Sequence, residues 1–108
     1  MISEKMLKDI DVLVADEKHR ANMEYPQFHS SHEAVAVMAE EICETSDELE
    51  GIKKYFKTLW QDIMHDDFMG QDLECEKIKS RARYLSIEAI QVAAMAEKFT
   101  DMLHKEDK

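Results

Sequence analysis

The stretch Ser30–His65, SSHEAVAVMAEEICETSDELEGIKKYFKTLWQDIMH, decides the fold. Ala34, Met38, Ile42, Thr45, Leu49, Ile52, Phe56, Leu59 and Ile63 recur in steps of three and four. That is the period of one face of an α-helix. Ser30 followed by Glu33 is a capping-box pair, in which a hydroxyl and a carboxylate satisfy the first free N–H groups. The spacing predicts a helix over 31–65. Gly51 lies inside it and is expected to kink or divide it.

The flanks read the same way. Ser3 can cap a first helix over about 3–19, with Met6, Leu7, Ile10, Leu13 and Val14 on one face. Asn22–Ser31 is expected to be a loop, because Pro26 excludes regular helix. His65–Gln71 reads as a turn. A third helix is expected over about 72–104, where Ile78, Ala82, Leu85, Ala89, Val92, Ala96, Phe99 and Leu103 form a stripe. Ala82, Ala89, Ala93, Ala94 and Ala96 would admit a close neighbour, and residues 105–108 are expected to fray. The fold class is therefore all-α: a single domain, 1–108, built as an antiparallel bundle of about three main helices. Three helices make a thin core, so completion by a homodimer or homotetramer is expected.

Composition agrees. Gly is 2 and Pro is 1 in 108 residues, so helix breakers are scarce. The formal net charge of −10 argues against a nucleic acid polymer as partner, since phosphate backbones need a basic surface. A single nucleotide needs only a metal ion and a few cations. The N-terminus lacks the apolar run of a secretory signal, and no stretch is long enough to span a membrane. Cys43 and Cys75 lack metal or redox spacing, as expected of reduced thiols. The expected location is the cytoplasm.

The informative exceptions are acidic. At about 100° per residue, Glu41, Glu44 and Glu48 line one border of the apolar stripe of the second helix. Glu40 lies further out, in a solvated or outer position. On the third helix Glu88 falls inside the stripe, and Gln91 stands to Glu88 as Glu44 stands to Glu41. If the two helices are antiparallel neighbours, these borders converge. A charge at a core position needs a compensating partner. Arg81, Arg83 or a lysine would serve, and so would a divalent cation. Carboxylate and amide oxygens suit Mg²⁺, with Mn²⁺ as a substitute. Zinc fits less well: the five histidines form no HExxH, and surface or capping roles suit His29 and His32 better.

Glu40-Glu41-x-x-Glu44 and Glu88-x-x-Gln91 resemble the paired motif, EExxE and then ExxD, of the MazG-like all-α NTP pyrophosphohydrolases. The segments His29–Ala34 and Glu88–Ala96 are similar to a bacterial and phage subgroup, and the resemblance spans about His29–Phe99. Two features depart from the family: Gln91 replaces its usual Asp, and the spacer between the motifs is longer than in compact members. A neutral amide at Gln91 weakens metal binding or acts through a water, and Glu48 could restore the missing charge.

The resemblance implies Mg²⁺-dependent hydrolysis of a nucleoside triphosphate to monophosphate and pyrophosphate, a nucleotide-pool cleansing role. It implies Glu41, Glu44 and Glu88 as catalytic metal ligands, with Gln91 and then Glu48 or Glu40 assisting. Lys57 and Arg81 are candidates for the phosphate tail and Trp60 for the base. Solvated faces, salt bridges and packing are the commoner roles of such residues. The alternative is a non-catalytic helical module of the same fold that binds nucleotide, metal or protein.

Overall fold

The computed structural model describes residues 1–106. They form three helices, α1 (Glu4–Glu24), α2 (Ser31–Met64) and α3 (Phe68–Glu106), and the described residues contain no strand. The fold is all-α. Ser3 caps α1, its side chain accepting from the Met6 N–H. The Ser30 hydroxyl accepts from the Glu33 N–H at 3.1 Å, and Glu33 accepts in return from the His29 N–H at 3.1 Å. The reciprocal bond reaches one residue beyond the usual capping-box position.

Several boundaries move. α1 runs to Glu24, past the expected end at His19, because Pro26 excludes helix only around itself and its preceding residue. The loop shrinks to 25–30. α2 passes Gly51 without a break, since one helical glycine costs only about 1 kcal/mol and the packed helix absorbs it. The Arg81 guanidinium lies 3.3 Å from where a Gly51 Cβ would stand, so the missing side chain is room for a neighbour. α3 starts at Phe68, four residues before the expected Asp72, and Lys105 and Glu106 continue it. The rest of the expected frayed tail, 107–108, lies outside the described residues.

The chain forms two compact units, Met1–Ile42 with Ala89–Lys108, and Cys43–Glu88. In the first, Phe28, Ala34, Ala94, Met95 and Met102 are the buried core, and Val14, Ala21, Val37, Met38 and Phe99 pack against it. Lys18 ties α1 to α3 through Glu97 and Asp101, both at 2.9 Å. The second unit is an antiparallel hairpin of α2 and α3, in which Glu48 reaches Arg81 and Tyr55 lies under Lys77. Its buried Glu74 keeps one carboxylate oxygen without a partner, while the other accepts from Lys77 at 3.4 Å.

Much of the expected core stripe is open. Ile42, Leu49, Phe56, Ile63 and Leu103 are exposed. A helix with one neighbour buries only a narrow seam, so a broad apolar stripe overruns it.

The hairpin turn is built from three residues. The Asp66 N–H donates to the Ile63 carbonyl at 3.1 Å and the Asp67 N–H to the Asp62 carbonyl at 2.9 Å. This is a Schellman termination, with Asp66 in the left-handed position at φ 52. Asp67 then caps α3: its Oδ1 accepts from the Gly70 N–H at 2.9 Å. The Asp67 and Asp62 carboxylates fill the space a Gly70 side chain would need, at 2.5 and 2.7 Å from its Cβ position. Adjacent acids should therefore respond oppositely. Asp66→Gly is expected to stabilise by up to about 1 kcal/mol, by relieving left-handed strain. Asp67→Ala is expected to destabilise by about 1 kcal/mol through loss of the cap. Urea denaturation of both variants checks the signs.

Candidate functional site

Glu44 and Glu88 meet because of their distance from the turn. Each lies twenty residues from it along its own helix. In an antiparallel hairpin, equal distances put two residues level. Both belong to the second unit, and their carboxylates offer oxygens within 4.8 Å of each other. Glu41 belongs to the first unit and stands one turn before Glu44 on the same unbroken helix. Glu41 and Glu88 are half-buried, and Glu44 is exposed. Glu40 is exposed. The donors are hard oxygens, which suit a divalent cation such as Mg²⁺ or Mn²⁺ and not a thiolate-seeking ion.

Glu48 is engaged elsewhere. Its Oε2 accepts from Arg81 Nη1 at 3.2 Å. Arg81 also lies 5.8 Å from the centre of the Tyr55 ring. Hydrogen bonding to Tyr55, and then to Glu48, holds its guanidinium above the ordinary arginine value. Arg81, Glu48 and Tyr55 line a cavity of about 350 Å³ in the second unit. Glu48 is thus paired with a cation, and Arg81 with an acid. Lys57 and Trp60 are exposed on α2. They lie thirteen and sixteen residues beyond Glu44, or about 20 and 24 Å at 1.5 Å per residue. The fold does not bring either beside the Glu44–Glu88 pair.

Gln91 belongs to the first unit. Together with Glu41 it lines a cavity of about 340 Å³ walled by Arg20, Tyr25, Phe28 and Lys98. Arg20 and Lys98 were absent from the cations expected on sequence grounds. Arg20 escaped because the expected first helix stopped at His19. Extended to Glu24, the helix lets Arg20 form a two-point contact with Glu17, with Nε to Oε2 at 3.0 Å, and approach Glu24 at 3.7 Å. Its guanidinium is held above the ordinary value by hydrogen bonding to Glu17 first, with weaker contributions from Glu24 and Glu41. Lys98 had a readable signal: it follows Gln91 by seven residues and Met95 by three, and so shares their helix face.

Lys98 is 6% exposed. Its Nζ donates to the Tyr25 carbonyl and sits 4.6 Å from the centre of the Phe28 ring. Burial pushes its pKa down, and the charge of Glu33 offsets part of that.

No family model, no curated protein and no solved structure matches this chain.

The Lys98 shift has a sign that can be tested. Below its lowered folded value the ammonium is charged in both states, and the burial penalty is fully present. Between that value and the ordinary 10.5 the unfolded chain binds more protons, so stability rises with pH. Lys98→Met is expected to raise Tm at neutral pH, and its advantage over the parent should shrink as pH approaches 10.5. Thermal melts of both proteins across that range measure the difference.

Proposed function

We propose that the protein is a Mg²⁺-dependent nucleoside triphosphate pyrophosphohydrolase. The reading rests on one observation: acids placed level on two helices, Glu44 and Glu88, with Glu41 one turn away. Two like charges so close repel, and a hard cation between them converts the repulsion into ligation. The MazG-like motif resemblance falls on these same residues.

Glu41, Glu44 and Glu88 would hold the metal. When bound, the ion supplies charge neutralisation on phosphate oxygens and activation of a water. The carboxylates fix its position and orient the attacking water toward the α-phosphorus, so that pyrophosphate leaves in line. The cavity lined by Glu41 and Gln91 offers a seat for the nucleoside, with Tyr25 and Phe28 as aromatic surfaces and Arg20 as a counter-charge to phosphate. Cleansing of the nucleotide pool in the cytoplasm is the role that follows. No helix among the described residues is long and apolar enough to cross a membrane.

The open apolar surfaces support a homo-oligomer as part of the same proposal. Met6, Leu7, Ile10 and Leu13 of α1 are exposed, and so are Phe56, Trp60 and Phe68 in the second unit. Sedimentation velocity should give a mass at least twice that of the 12.6 kDa chain.

A screen of the common ribo- and deoxyribonucleoside triphosphates with Mg²⁺ should release pyrophosphate from at least one, and EDTA should abolish it. Glu41→Gln and Glu88→Gln should each lower the rate by about a hundredfold or more, with unchanged far-ultraviolet circular dichroism. Full turnover in both variants would overturn the proposal. The neutral amide at Gln91 favours a second reading, a binding module without turnover. That reading predicts calorimetric metal or nucleotide binding with no product.

A further inference from the structure

A second cavity in the first unit, of about 240 Å³, is lined by Asn22, Gln27, Phe28, Lys98, His104 and Lys105. We propose that it binds a phosphoryl anion. The chain as a whole is strongly acidic, yet this wall concentrates cations. Asp101 is the one acid among the described residues that line it, and Lys18 already shares its carboxylate at 2.9 Å.

Two further observations point to a ligand. Lys98 is buried, its Nζ donating to the Tyr25 carbonyl and lying over the Phe28 ring. An ammonium has three N–H donors, and the charge of Glu33 offsets only part of the cost of burying this one. An anion in the cavity would supply the remainder. Asn22 also lines the cavity, and its Oδ1 is buried without a partner. Rotation of the amide presents the NH₂ group in place of the oxygen, so Asn22 can donate to an anion or accept from a protonated one.

His104 and Lys105 stand in the last turn of α3, where cations also complement the helix dipole. Lys98 lies nearly two turns deeper, so the dipole does not explain its burial. The cavity shares Phe28 and Lys98 with the one lined by Glu41 and Gln91, but Glu41, Glu44 and Glu88 do not line it, and the inference does not depend on the pyrophosphohydrolase reading. Phosphate chemistry can arrive as free phosphate, as pyrophosphate or as the tail of a nucleotide.

The test is calorimetric titration of the intact chain in EDTA at fixed ionic strength, with inorganic phosphate, pyrophosphate and a nucleoside triphosphate in separate arms. At least one should bind. Lys98→Met should weaken that binding by about tenfold or more, the loss of one charge-assisted hydrogen bond. Lys105→Gln, a change at an exposed position, should weaken it by a smaller factor. Equal affinity for free pyrophosphate and nucleotide identifies the ion itself as ligand; binding confined to the nucleotide identifies its tail. Absence of binding in all three arms at millimolar concentration, or binding that Lys98→Met and Lys105→Gln leave intact, overturns the proposal. Because metal is absent and Lys105 lines this cavity and not the one with Glu41, failure here leaves the reaction assay unaffected, and failure of that assay leaves this result standing.

Discussion

The three-residue turn between α2 and α3 sets the register on which the rest depends. Helix C-terminus, left-handed Asp66 and capping Asp67 leave no slack between the two long helices. Register then propagates along the hairpin by fixed rise. Tyr55 comes level with Lys77, and Glu44 comes level with Glu88, because each pair is equidistant from the turn. One residue more or less would rotate an entire helix by about 100° and carry its acids off the shared face.

That register also sorts charge. The second unit pairs Arg81 with Glu48 in a place made for it, beside a glycine and over Tyr55. An arginine so engaged neutralises the acid that might have extended the Glu44–Glu88 group. The acids that remain are close and level. In the first unit the balance is different. Lys98 is buried against an aromatic ring and a carbonyl, and Lys18 is shared by two acids. Lys98 there is held by the core of the unit, while Lys18 and Arg20 are held by pairing with acids. An acidic chain thus keeps its few cations where neighbours constrain them.

Helix existence and the capping residues Ser3 and Ser30 were legible in the sequence. The legibility has a simple cause: each signal is local or periodic, and a helix preserves spacing. Extents were less legible. Asp66 in a left-handed turn looks like any loop acid, so the turn was read as seven residues when three suffice. Gly51 looked like a break because propensity was weighed without its neighbour, Arg81. Burial was the least legible. Phe56 and Leu49 have the periodicity of core residues and are exposed, because periodicity identifies a face and not whether something covers it.

By itself, the sequence determined helical class, the caps and which carboxylates share a face, because these depend on neighbours within a few residues. Tertiary structure alone decided that Glu48 belongs to Arg81, that Glu44 and Glu88 stand level, and that Lys98 is buried against Phe28 and the Tyr25 carbonyl. Those outcomes depend on the register of one helix against another, and register is set by turn length and packing, which no single stretch of residues encodes.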